Sequence, residues 1–137
     1  MTSMLSDWAK EVLREYHFAV VSTPNTDGSS HLTTMWYLLE HDGTIVMSTP
    51  GHLRKVKNLR RDPRIAICVP DVNRYASLYG TVTISEDQTI VRQDIERLVE
   101  RYIQSDEATR QQTIAALVQQ SRVSLRLTPD KVTEFSV

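Results

Sequence analysis

The fold class predicted for this 137-residue chain is mainly β with some α: one domain, built as an antiparallel barrel of six or seven strands with satellite helices. Three observations predict it. Short runs rich in β-branched and aromatic residues recur, bounded by turn chemistry such as Asp27-Gly28, His41-Asp42-Gly43 and Pro70-Asp71-Val72-Asn73. Residues 122–127 alternate cleanly between polar and apolar, the period of a half-buried strand. Helical spacing of apolar residues is confined to a few stretches, and no linker, repeat or low-complexity segment divides the chain.

In chain order, Trp8, Val12, Leu13 and Tyr16 fall at helical spacing after the N-capping pair Ser6-Asp7, so residues 6–16 read as a short amphipathic helix. Strands are expected at 17–23, 30–40 and 44–49, joined by the two turns into a three-stranded meander. A short helix over about 52–61 stops before Pro63, because the residue preceding a proline disfavours helix. Strands follow at 64–69 and 74–85, with Gly80 marking a bulge or a close backbone approach. Helices are expected at 87–104, with Ile90, Ile95, Leu98, Val99 and Ile103 on its apolar side, and at 106–120, with Ile114, Leu117 and Val118. A strand at 122–127, a turn at Pro129-Asp130 and a shorter strand at 132–137 complete the pattern.

Composition narrows the function. A charged fraction of 24% and a net charge of −1 are ordinary for a globular protein and argue against a global attraction to nucleic acid or membrane. Cys68 lies in the apolar run Ile65–Val69 and reads as a buried structural thiol; a lone cysteine excludes an intrachain disulfide framework or a Cys-rich zinc site. Residues 1–7 carry neither the basic nor the apolar region of a secretory signal, and no apolar run is long enough to span a bilayer. A soluble, cytoplasmic protein with no membrane or nucleic-acid partner is expected.

The chemically unusual segment is 49–64, in which six residues are Lys or Arg. Arg54 and Lys55 fall in the first turn of the short helix, where free N–H groups and the positive end of the helix dipole already disfavour a cation. A bound anion relieves that conflict, and phosphate suits it, because donors, dipole and side-chain charge converge. Thr49 adds a hydroxyl, Gly51 allows close backbone approach, and His52 lies beside them. A solvated basic helix face has the same composition. A nucleic-acid patch is a third reading, weakened because no stacking aromatics interleave with the charges.

The strand Ser30–Tyr37 is the second candidate. Thr33 and Met35 share one face, Thr34 and Trp36 the other, so a flat ring with polar edges fits against it; an ordinary amphipathic strand with Trp36 in the core reads the same. No Gly-x-Ser-x-Gly elbow, Gly-rich nucleotide loop or metal spacing among His17, His31, His41 and His52 is present, and no catalytic residue is singled out. Redox chemistry here would reside in a bound cofactor.

Four pieces in order carry a family resemblance: Phe18–Thr23 with Asp27-Gly28 and His31–Tyr37; Ser48-Thr49 with Arg54–Ala66; Arg74-Tyr75 with Gly80-Thr81-Val82; and Leu125–Val132. The chain resembles the pyridoxamine 5′-phosphate oxidase-like superfamily of FMN-binding split β-barrels, in its branch of small flavin- or deazaflavin (coenzyme F420)-dependent oxidoreductases. The resemblance implies a homodimer with a cofactor, FMN by default or F420, at each subunit interface. It implies that Arg54 and Lys55 hold the cofactor phosphate with Ser48 and Thr49, that Thr33, Thr34, Met35 and Trp36 lie along the ring, and that Asn58 and Tyr75 contribute, Tyr75 from the partner subunit. A small organic substrate is expected. The chain ends at Val137 without the arginine- and histidine-bearing segment of true pyridoxamine phosphate oxidases, which argues against that activity. A flavin-binding or sensor protein without turnover is the alternative.

Overall fold

The computed structural model describes residues 5–137; Met1–Met4, on which part of the expectation of no secretory signal rests, lie outside the described residues. Helix α1 (Asp7–Arg14) begins where Ser6 Oγ accepts from the Ala9 N–H at 3.0 Å. The same hydroxyl donates to Glu134 at 2.9 Å and ties the helix to the last strand. Val12 and Leu13 are buried, and Leu13 O, one of the carbonyls left free at the helix end, accepts from the Tyr37 hydroxyl at 2.7 Å.

Seven strands follow: β1 (Ala19–Pro24), β2 (Ser30–Met35), β3 (Leu38–Leu39), β4 (Ile45–Pro50), β5 (Arg64–Pro70), β6 (Arg74–Ser85) and β7 (Arg122–Ser136). They form one antiparallel sheet in the order β2-β1-β5-β6-β7-β4-β3. The two edge strands, β2 and β3, are consecutive in the chain and joined only by Trp36 and Tyr37. The sheet must therefore curl until its ends meet at that joint, which makes it a barrel.

Three expectations are corrected. Residues 30–40 are not one strand in a meander: the run breaks at Trp36-Tyr37, and its halves pair with opposite ends of the sheet. Pro129-Asp130 does not turn the chain. β7 runs through it, pairing Pro129 with Gly80 and Lys131 with Tyr79, so Asp130 is an unpaired bulge residue. A proline tolerated at a bulge looks like a turn in sequence. Cys68 is half-buried, because β5 turns Ile65, Ile67 and Val69 inward and sets Cys68 on the outer face. The expectation for Gly80 holds: a Cβ there would lie 2.1 Å from Thr128 O. Gly28 (φ 87°) and Gly43 (φ 93°) occupy the predicted turns in a backbone region that favours glycine.

Inside the barrel, Val21, Met47, Ile67, Leu78, Leu125 and Leu127 form the main core. Helix α3 (Gln88–Tyr102) covers the outer face of β4 and β7, and α4 (Glu107–Val118) packs on α3 around a second cluster of Val91, Ile95, Val99 and Ile114. The buried Asp94 clamps α3 to the sheet through two bonds to Arg126, at 2.9 and 3.0 Å. With α3 on one side and the core on the other, Ile45–Thr49 is buried on both faces, which explains its unbroken apolar start. Helix α2 (Arg54–Arg61) links β4 to β5.

Candidate functional site

A cavity of about 230 Å³ opens where the start of α2, the ends of β2 and β4, the first residue of β7 and the inner faces of α3 and α4 converge. Its two ends differ chemically.

The polar end is built by Ser48, Thr49, Lys55 and Arg122. Lys55 is 8% exposed, and no acidic partner meets it. Burial, then the charge of Arg122, holds its ammonium below the ordinary lysine value. Burial likewise opposes the charge on Arg122. The guanidinium is nonetheless fixed: Nε donates to Ser48 Oγ at 2.9 Å, one terminal nitrogen to Ser48 O at 3.0 Å and the other to Gln120 Oε1. Helix α2 starts at the same end with Leu53 as N-cap, no side-chain cap and no acid in its first turn. Two partly desolvated cations and uncapped N–H groups thus face one cavity whose lining carries no Asp or Glu among the described residues. That arrangement is electrostatically suited to an anion.

The apolar end is made by Trp36, Ile95, Leu98 and Leu117. Trp36 is stacked on Tyr102 at 5.0 Å and 9°, and Tyr102 is held by its hydroxyl, which donates to His17 O at 2.6 Å. Arg101 lies over both Tyr37 and Tyr102 and donates to Leu13 O and Glu15 O at the end of α1. Trp36 is therefore a fixed wall rather than a loose side chain.

Of the residues predicted from sequence, Thr34, Met35, Trp36, Ser48, Thr49 and Lys55 line this one cavity. Arg54 lies beside Lys55 but is exposed at the surface. Thr33 lies on the opposite face of β2 from Thr34, and its buried hydroxyl has no partner. Asn58 is fully buried against β1, its amide donating to Thr23 Oγ1 at 3.1 Å and Asn25 Oδ1 at 3.0 Å. Tyr75 stands on the outer face of β6, stacked on Phe135 at 5.9 Å. His52 is exposed, and Gly51 approaches the backbone of Ser121, to whose carbonyl it donates at 3.0 Å.

Sequence reasoning missed Arg122 as a site residue and named Ile95, Leu98 and Leu117 only as the apolar sides of their helices. Nothing local marks Arg122: it meets Ser48 only because β4 pairs with β7. The basic run also divides. Arg60 pairs with Glu86 at 3.1 Å, Arg64 with Asp62 at 2.7 Å, and Arg61 donates to Pro24 O and Asn58, so these cations serve the fold. Asp62 is held down to about 2 by its bonds to Arg64. Sequence spacing also hid a cluster of Glu15, His17 and Asp71, whose ligand atoms lie within 4.8 Å of one another; the Arg74 guanidinium bonds both carboxylates and fills it.

The sequence profile described as pyridoxamine 5′-phosphate oxidase matches residues 5–136. The chain belongs to the pyridoxamine 5′-phosphate oxidase family. This family member is 29% identical over 102 residues, 74% of each chain, to an F420H(2)-dependent biliverdin reductase of Mycobacterium tuberculosis. Its fold matches a conserved hypothetical protein of Mycobacterium tuberculosis with a TM-score of 0.81 at 24% identity, covering 98% of this chain and 86% of the other. It also matches a protein described as an F420 reductase with a TM-score of 0.78 at 20% identity, covering 94% and 98%. The fold of the family member is thus that of the split barrels, and its relative at 29% identity is an F420H(2)-dependent reductase.

Proposed function

We propose that this protein is a homodimeric oxidoreductase that binds a phosphate-bearing flavin-type cofactor in the cavity and acts on a small organic substrate. The observation that carries the reading is Lys55: a nearly buried, unpaired ammonium beside Arg122 and an uncapped helix start. Such a set is costly without an anion and well matched to a phosphate. Of the two cofactors, we place coenzyme F420 ahead of the FMN expected by default. The reductase at 29% identity uses F420H(2), and the exposed Arg54, next to Lys55 in the chain, suits a tail bearing further carboxylates.

When bound, the cofactor supplies the hydride or electron chemistry. The chain's residues bind, orient and exclude water. Lys55, the start of α2 and Ser48 would hold the phosphate, and Thr34, Met35 and Trp36 would position the ring. Trp36, Leu98 and Leu117 would exclude water from it. Trp36 cannot swing away while Tyr102 backs it.

Dimerisation is proposed through the outer face of β1, β2, β5 and β6, where Val20, Leu32, Tyr75 and Tyr79 are exposed. Light scattering checks the mass. Titration of the purified protein with FMN and with F420, followed in the visible spectrum, tests the cofactor. Uptake of F420 with turnover of a reducible acceptor is expected; a colourless protein that takes up neither would overturn the reading.

A further inference from the structure

We infer that helix α4 is a lid on the cavity, hinged at Ser121, that swings off α3 to admit a ligand and closes over it; what enters rests on the cofactor reading above. Size calls for a moving part. The cavity holds about 230 Å³, below the roughly 300–1,000 Å³ of pockets that enclose a cofactor-sized ligand, so such a ligand needs one wall to give way.

Most walls are fixed. β2 and β4 are each paired along their length with a neighbouring strand. Trp36 is backed by Tyr102. The buried amide of Asn58 pins α2 to Thr23 and Asn25. Helix α3 buries six side chains, and bonds tie it to the rest of the molecule along its length: Asp94 to Arg126, Arg97 to Glu40, and Arg101 to the end of α1. Helix α4 is held differently. Ile114 is its one buried residue, seated among Val91, Ile95 and Val99 of α3, with Leu117 and Val118 half-buried beside it. Among the described residues, its side-chain hydrogen bonds stay within the helix or reach the carbonyl groups of Ile103 and Ser105 just before it; none crosses to the barrel. An element held by so few long-range contacts opens at lower cost than the elements around it. Yet α4 is a wall of the cavity, because Leu117 lines it.

The joint after α4 is strained in the closed form. Ser121 has φ 52°, the left-handed conformation that glycine normally supplies just past a helix, and among the described residues it is the one non-glycine there. Swinging the helix away lets that backbone relax. The same joint sits on the anion end of the cavity. Ser121 O accepts from the Gly51 N–H at 3.0 Å, Gln120 Oε1 accepts from Arg122, and Arg122 donates to Ser48 at 2.9 Å. An anion held between Lys55 and Arg122 therefore steadies the joint, and a filled cavity keeps the lid shut.

Stopped-flow fluorescence of F420 or FMN mixed in excess with the full-length protein reads the lid. The observed rate should level off with ligand concentration at the opening rate of α4 instead of rising linearly. Ile114 does not line the cavity, so Ile114→Ala loosens the lid without touching the ligand, and the plateau should rise about tenfold or more. Ser121→Gly, which accepts the closed backbone without strain, should lower it roughly fivefold. Hydrogen exchange of the ligand-free protein supplies the second readout. The amides of α4 should exchange as one unit and faster than those of α3, quicker still in Ile114→Ala and slower in Ser121→Gly or with ligand bound. A rate that rises linearly and equally in all three proteins would overturn the lid, and so would α4 exchanging no faster than α3. If neither F420 nor FMN binds, the cofactor reading falls alone, because exchange in the ligand-free wild type and the two variants still decides whether α4 opens.

Discussion

Replacing Lys55 with Met separates the anion site from the fold. The methionine chain has nearly the length of the lysine and no charge, so it fills the same path beside Ser48 and Thr49. In the cofactor-free protein the change removes a cation that is 8% exposed, has no acidic partner and lies in the field of Arg122. Replacing a poorly compensated buried charge with an apolar group of similar volume is neutral or stabilising, and about 1 kcal/mol of gain is expected here. For a domain of this size that raises the melting temperature by about 3–5 °C. Cofactor binding should move the other way. Loss of one charge-assisted hydrogen bond costs about 1.5–3 kcal/mol, or roughly 10- to 150-fold in Kd for FMN or F420. Riboflavin, which lacks the phosphate, should bind the variant as it binds the wild type. Differential scanning calorimetry of the cofactor-free protein and fluorescence titration with each ligand measure the two effects. A variant that is less stable than the wild type yet binds FMN equally well would show that Lys55 supports the fold rather than an anion.

Three further outcomes follow from the geometry. Lys55 titrates below the ordinary lysine value in the folded protein, so between that value and 10.5 the unfolded chain holds more protons. Stability of the cofactor-free wild type relative to Lys55→Met should therefore rise with pH across that window and fall back below it; a flat difference in denaturant midpoints would refute the burial of the charge. Gly80→Ala forces a Cβ to 2.1 Å from Thr128 O, and about 3 kcal/mol of destabilisation is expected, read as a lower urea midpoint; a change under about 0.5 kcal/mol would mean that the bulge yields freely. Asp94→Ala removes both bonds from Arg126 to α3, with an expected loss of about 1–3 kcal/mol, since Arg126 keeps access to water, and faster hydrogen exchange along α3; unchanged exchange there would show that the apolar cluster alone docks the helix.

Local chemistry made much of the fold legible. The Asp-Gly turns, the Ser6 cap, the stop before Pro63 and the steric demand at Gly80 are properties of short segments, and each is where the sequence placed it. The failures have one cause. Trp36-Tyr37 and Pro129-Asp130 each carry a local signal that two structures satisfy, a continuous strand or a break, and only pairing with distant strands decides between them. At the site, the residues on β2, β4 and the start of α2 were readable because helix-terminus electrostatics and strand alternation are local rules. Arg122 was not, because only the pairing of β4 with β7 brings it to Ser48.

The sequence by itself determined a β-rich domain, its turns, and an electrostatic conflict at the start of one short helix. It placed Arg54 and Lys55 side by side in that conflict without distinguishing them. Tertiary structure alone decided that Arg54 faces solvent while Lys55 is buried in a cavity. It also decided that a second cation, 67 positions further along, joins Lys55 there (Lys55 to Arg122 in the sequence). The physical reason is barrel closure: pairing β4 with β7 brings Ser48 to Arg122, and packing of α3 and α4 on that face removes the water that would otherwise screen both charges.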